Sequence, residues 1–231
     1  MTSEPWGPLP LAVDDEVEKT LGDLRLRLQR RPDEVWMRAV HESSDEWTRR
    51  RDPEGGGSGD GPAPSPSGTH TRSLATQVRD EEWMRWAART EDELGLRPVM
   101  PDRPVVVSPE QPFFLLPSGR ARVFVRIPLF VRIQIEDGEG GSSTLEEVPS
   151  QVLSDTWWGS FTEGELGYWV ETRARREMDP SLYEPHLAIC PFILSNGSDQ
   201  VLPVERFALR VSYLTLFGRG TACWTDEVLV R

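Results

Sequence analysis

The residue types best suited to recognising another molecule concentrate between Ser154 and Arg176, in SDTWWGSFTEGELGYWVETRARR. This stretch holds three tryptophans, three glycines, Asp155 and the charged run Glu171, Arg173 and Arg175. Read as a strand over Leu166 to Arg175, the two-residue period puts Trp169, Glu171, Arg173 and Arg175 on one face and Tyr168, Val170, Thr172 and Ala174 on the other. The second face is apolar and belongs in a core. The first joins a tryptophan to charges, and Trp and Arg are the types that dominate binding hot spots. The plainer reading is a tryptophan packed under a loop, beside surface ion pairs that contribute little. Ser154, Asp155 and Thr156 can fix a turn through bonds to nearby backbone amides. Trp157 and Trp158 then point to opposite sides, one ring to the core and the other toward solvent. The binding candidates are therefore Asp155, Trp158, Trp169, Glu171, Arg173 and Arg175, none of them as a catalyst.

Catalytic constellations fare worse. Glu163 and Glu165, or Asp155, could supply the carboxylate pair of a glycosidase, but the two glutamates flank Gly164 in a turn, where acids are ordinarily solvated surface. His41, His70 and His186 are far apart, with none of the spacings that hold zinc. Neither a GxSxG elbow nor a Cys/His pairing is present. Cys190, ahead of Pro191 in an apolar run, and Cys223 read as free buried thiols. GEGGSS at 138–143 lacks the lysine and the following helix of a phosphate loop. The expectation is no catalytic residue, no metal ligand and no cofactor, with a carbohydrate-binding module or a cryptic hydrolase as the alternative.

Composition narrows the partner. The formal net charge is −12, with 14 basic against 20 acidic residues up to Met100 and 12 against 18 after it. Both halves are acidic, which argues against nucleic acid or an anionic membrane for either. Lys19 is the single lysine, so arginine usage follows coding bias and a lone arginine pair proves little. No basic leader with an apolar stretch opens the chain and no run of 18 apolar residues occurs. These features predict a cytoplasmic protein without direct membrane insertion, whose partner is another protein or a small-molecule ligand.

The elements that must position the tryptophan-rich stretch read as strands. Leu24, Leu26 and Leu28 alternate with Arg25, Arg27 and Gln29; Arg31 to Glu34 gives a turn; Val35, Met37 and Ala39 resume one face. That is a β-hairpin, with Trp36 on its less covered side. Residues 1–51 form this N-terminal hairpin unit. Residues 52–75, dominated by Gly, Pro, Ser and Asp, are predicted to be a disordered insertion. Residues 76–100 are expected as a helical or irregular connector packing on the core, because Trp83, Trp86, Ala87 and Leu94 suit a short amphipathic helix. Residues 101–231 are expected as the β-sandwich core. Within them VFVRIPLFVRIQI is strongly β-forming, but Pro128 cannot sit inside a central ladder and marks a bulge, an edge or a switch between sheets. Asn196-Gly197 suggests a tight turn with left-handed backbone. Many short strands separated by turn signals, with one short helix at most, predict a mainly β protein built as an antiparallel, immunoglobulin-style β-sandwich.

Three segments carry a resemblance. PDRPVVVSPEQPFFLLPSGRARVFVRIPLFVRI, LSDTWWGSFTEGELGYWVETRARR and CPFILSNGSDQVLPVERFALRVSYLTLFGRGTACWTDEVLVR resemble a prokaryotic domain-of-unknown-function family, number 432. The order VFVRIPL, SDTWWG, ELGYW, WTDEV is specific to it. The resemblance covers Pro101 to Arg231 and extends to the hairpin between Trp6 and Val40, with no counterpart for Asp52 to Ser67. It implies no activity. It does imply a loose association with small mechanosensitive channels, and hence an accessory role near such a channel.

Overall fold

The computed structural model describes residues 5–42, 83–179, 183–219 and 222–230, with backbone alone for Glu171, Thr172, Arg173 and Arg219. The expected insertion at 52–75 lies outside the described residues. Nineteen strands and no helix occur among those described. The first six are β1 (Gly7–Pro8), β2 (Glu16–Leu21), β3 (Leu24–Arg30), β4 (Glu34–His41), β5 (Met84–Ala87) and β6 (Glu93–Val99). Next come β7 (Val105–Pro109), β8 (Phe113–Leu115), β9 (Arg120–Pro128), β10 (Phe130–Glu136), β11 (Ser142–Pro149), β12 (Ser154–Trp158) and β13 (Glu165–Ala174). The last are β14 (Leu187–Ser195), β15 (Leu202–Val204), β16 (Phe207–Leu209), β17 (Leu216–Arg219), β18 (Ala222–Thr225) and β19 (Val228–Val230).

Two hydrophobic cores result. In the first, the sheet β2-β3-β4-β5 packs on the sheet β1-β6-β10-β11. Leu24, Leu26, Leu28, Val35 and Met37 from one layer meet Leu96, Val131 and Ile133 from the other, all essentially inaccessible to water. The alternation that predicted the hairpin is what aims these side chains inward, since a shift of one residue would turn every leucine to solvent. In the second, the sheet β12-β13-β7-β16 faces the sheet built on β14, which carries β9 on one side and β18 with β17, and then β19, on the other. Pairing is mostly antiparallel, with parallel exceptions where β13 meets β7 and where β14 meets β18 and β19. Cys190 and Cys223 are free and buried in this core, and burial pushes the Cys190 thiol up to about 12.

Pro128 divides the long β run as its missing donor requires. β9 before it pairs with β14 in the second core, and β10 after it pairs with β6 and β11 in the first. The sheet switch expected there thus joins two different cores. The helix expected from the Trp83/Trp86 spacing is corrected over the described residues from 83 on, which form strands β5 and β6. Cross-strand pairing with β4 overrides the spacing: Trp86 lies opposite Val35, and Trp83 sits 6.4 Å from the Trp36 ring. Arg85 covers that ring at 4.2 Å, so the outer side of the hairpin is shielded by cations. Asn196 also departs from expectation, since neither it nor Gly197 adopts left-handed backbone. Its side chain is buried and donates to Leu115 O, Leu116 O and Gln200 O while accepting from Ser198, locking the β14 exit onto β8.

A polar joint fastens the two cores. Ser150 O accepts from Asp23 N and Leu24 N, and Ser150 N donates to Leu129 O. His186, buried beside them, receives Gln151 Nε2 on its own Nε2 at 3.3 Å. The β2–β3 turn approaches so closely that a Cβ on Gly22, itself at φ +64°, would lie 2.6 Å from His186 Cδ2 and 2.7 Å from Ser150 O. Only glycine fits a left-handed position pressed against backbone. Burial is the main cause holding the His186 imidazole below its ordinary value, against the pull of Glu184 and Asp23.

Candidate functional site

The β12–β13 hairpin projects past the core that its inner end helps to build. Its register is uninterrupted: Ser154 opposes Trp169, Asp155 opposes Tyr168, Thr156 opposes Gly167, Trp157 opposes Leu166 and Trp158 opposes Glu165. Opposed residues share a face, so Asp155, Trp157, Leu166 and Tyr168 lie on the inner face, while Ser154, Trp158, Glu165 and Trp169 lie on the outer. Tyr168 is 3% exposed and packs with its ring tilted 47° against Phe130 at 6.0 Å, whereas Trp157 on the same face is 54% exposed because the opposite sheet does not reach that far.

A charged clamp fixes the hairpin where it leaves the core. The Tyr168 hydroxyl donates to Asp102 Oδ1 at 2.8 Å, Arg103 Nη1 donates to Asp155 Oδ1 at 3.1 Å, and the Arg103 guanidinium lies 5.4 Å over the Tyr168 ring. Tyr168 N also donates to Pro104 O. Burial first, and then the Asp102 hydrogen bond, push the Tyr168 phenol well above its ordinary range, so it stays a neutral donor. At the far end Trp157 Nε1 donates to Ser160 O at 2.9 Å, and its indole lies across Gly164, where any Cβ would collide with the ring. The ring is held by the turn, not by the core. Phe161, in that turn, is 97% exposed.

The candidate residues do not form one cluster. Asp155 sits on the inner face with Arg103. Trp158, half-buried, and Trp169, 42% exposed, sit on the outer face, which also carries the Glu165–Arg210 pair at 2.9 Å. The expectation that one of Trp157 and Trp158 enters the core is corrected: neither is buried, because β12 is an edge strand on an overhang. Glu171 and Arg173 belong to β13, but their side chains lie outside the described residues. β13 does bury Tyr168, Val170 and Ala174 on one face, as the two-residue period predicts. Between Trp169 and Arg173 β13 gains two residues on β7, a number that preserves the face parity.

Arg175 lies at the other end of the strand. Its backbone pairs with Phe124 of β9, and its side chain reaches Glu110 at 3.4 Å. There it borders a cleft of about 310 Å³, counted out to its open mouth, walled by Phe124, Ile189, Met178 and Tyr183. Arg126 in the same cleft pairs with Glu184 at 3.3 Å, so both arginines already have acidic neighbours. No group of three or more His, Cys, Asp or Glu among the described residues is arranged to hold a metal ion.

Sequence reading missed Asp102 and Arg103, which stand between two prolines and pass for punctuation, and missed Trp157 as the more exposed of its pair. No local signal links Asp155 to an arginine 52 positions away.

The family described as "Protein of unknown function (DUF432)" matches residues 5–231. The chain belongs to that family. Membership spans both cores, including the first hairpin, and assigns an activity to neither. No curated protein and no solved structure matches the chain.

Proposed function

We propose that the protein is a non-catalytic interaction or ligand-binding module whose working element is the β12–β13 hairpin. One observation carries this reading: Trp157 is fixed in place by its bond to Ser160 O and its seat on Gly164, yet more than half exposed. A rigid, exposed aromatic loses little conformational freedom on binding and is the side chain that anchors interfaces. The titratable groups beneath it support binding over catalysis, because Asp155 is engaged by Arg103 and the Tyr168 hydroxyl by Asp102. Among the described residues no helix is long and apolar enough to cross a membrane. We read the protein as cytoplasmic, and a membrane channel reached from that side is one partner this reading admits.

The test is a pull-down from the native host with the wild type beside a Trp157→Ala/Trp169→Ala variant whose circular dichroism and melting confirm folding. A partner retained by the wild type and lost by the variant is the expected result. Equal capture by both would remove the hairpin from consideration. Thermal stabilisation by an oligosaccharide, lost in Trp157→Ala, would replace the protein partner with a glycan.

A further inference from the structure

We propose that β12 pairs edge to edge with β12 of a second copy, joining two four-stranded sheets into one of eight strands across a two-fold axis at Thr156. This rests on the hairpin being the chain's binding element and names its partner as the chain itself.

A free sheet edge offers unpaired N–H and C=O groups, and proteins usually blunt such edges with charge, proline, bulges or brevity. The other edges described here are blunted. β2 carries Glu16, Glu18 and Lys19; β9 carries Arg120, Arg122 and Arg126; β11 carries Glu146 and Glu147 beside an irregular register. β1, β5, β8, β15, β16, β17 and β19 have four residues or fewer. β12 has five residues in unbroken register, without proline or lysine, and its single acid, Asp155, is held by Arg103. On a chain of net charge −12 that would repel a copy of itself, this edge is locally neutralised.

The sequence of β12 also suits itself. Full antiparallel overlap of Ser154–Trp158 with its copy centres on Thr156. On the inner face each Asp155 then lies opposite Trp157 of the second copy, never opposite another Asp155. The acid of each copy thus meets an aromatic strand neighbour and keeps its own Arg103 partner. On the outer face Trp158 lies opposite Ser154 of the second copy, and the row Trp169, Ser154, Trp158, Glu165 alternates large with small across the seam. At the axis Thr156 meets Thr156, a favourable cross-strand pair, with Gly167 beside each. The same register carries the turn bearing exposed Phe161 toward Val152 of the second copy, itself 43% exposed.

Sedimentation equilibrium of the full chain from about 1 to 300 μM, at pH 7.5, tests the pairing alongside Thr156→Lys and Thr156→Glu. The expected result is a concentration-dependent dimer for the wild type, monomers for each variant alone, and recovery of a dimer when the two are mixed. Thr156→Cys, treated with the thiol oxidant diamide, should form an intermolecular disulfide visible on a non-reducing gel, because opposed Cβ atoms fall within bridging distance. A wild type monomeric throughout that range overturns the proposal and leaves the pull-down reading standing. A dimer that persists in Thr156→Lys, or a Thr156→Cys variant that stays uncrosslinked while dimeric, overturns it by placing the seam elsewhere.

Discussion

The hairpin β3–β4 and the hairpin β12–β13 are built by the same backbone rule and are used in opposite ways. In the first, one face is wholly buried against a second sheet, and β2 alongside surrounds its outer face with ion pairs between Arg25, Arg27, Glu16, Glu18 and Glu42. The second has a buried inner end at Tyr168, an exposed outer end at Trp157 and Leu166, and two tryptophans on its other face that no sheet covers. Burial in the first hairpin is spent on holding the core together. The second puts its large side chains where they add little to that, and such placement is characteristic of a surface meant for something else.

The sharpest way to break this contrast is to truncate one side chain in each. Leu26→Ala removes a fully buried side chain from the first core and should lower stability by about 3 kcal/mol, read from the urea midpoint. Trp157→Ala, a larger truncation on the exposed overhang, should move that midpoint by far less. Equal losses would mean that the overhang is structural after all.

A smaller effect should follow pH, through the joint that ties the β2–β3 turn, at the start of the first hairpin, to the second core. His186 is folded in its neutral form with a depressed affinity for protons, so below about pH 6.5 the unfolded chain takes up a proton that the folded chain refuses. Stability should be flat above that value, fall as pH drops through it, and level off once the folded imidazole titrates. Comparing urea midpoints at pH 7.5 and 5.5 for the wild type and His186→Gln checks this, and an identical slope in both would assign the loss to other groups.

The smallest change sharpens the comparison from the charged side. Arg27→Ala breaks pairs with Glu16 and Glu18 that are close to half exposed, and should cost under about 0.5 kcal/mol. It should also leave binding and self-association untouched.

What could be read in advance follows from how local each determinant is. The period of two in Leu24, Leu26, Leu28, Val35, Met37 and Ala39 determined both the hairpin and its buried face. The same period in Tyr168, Val170 and Ala174 survived a two-residue irregularity because two is the repeat itself. Pro128 announced a break because the residue lacks a donor wherever it stands. Trp83 and Trp86 misled because a spacing of three also arises when Trp86 stands on a strand opposite Val35, 51 positions earlier, and Trp83, just before that strand, packs on Trp36. Which of Trp157 and Trp158 would be exposed depended on β12 ending up at a sheet edge beyond the reach of its opposing layer. That property belongs to the topology, and no stretch of 23 residues contains it. The Asp102–Arg103–Asp155–Tyr168 clamp is equally non-local.

The crossing at Pro128 also sets the order in which this chain can mature. The leucines of β3 find their counterparts on β10 and β11, so the first hairpin leaves the ribosome long before Pro149, the last residue of its opposing sheet. Until then its apolar face has only Leu94 and Leu96 of β6 to meet, and the second core in turn waits for β18 and β19 at the far end of the chain. The first core can close only once Pro149 has emerged and the second only at the end of the chain, so refolding should be slow and governed by long-range closure. A nascent chain stalled before residue 130 would expose Leu24, Leu26 and Leu28, a natural target for a chaperone that recognises extended aliphatic segments.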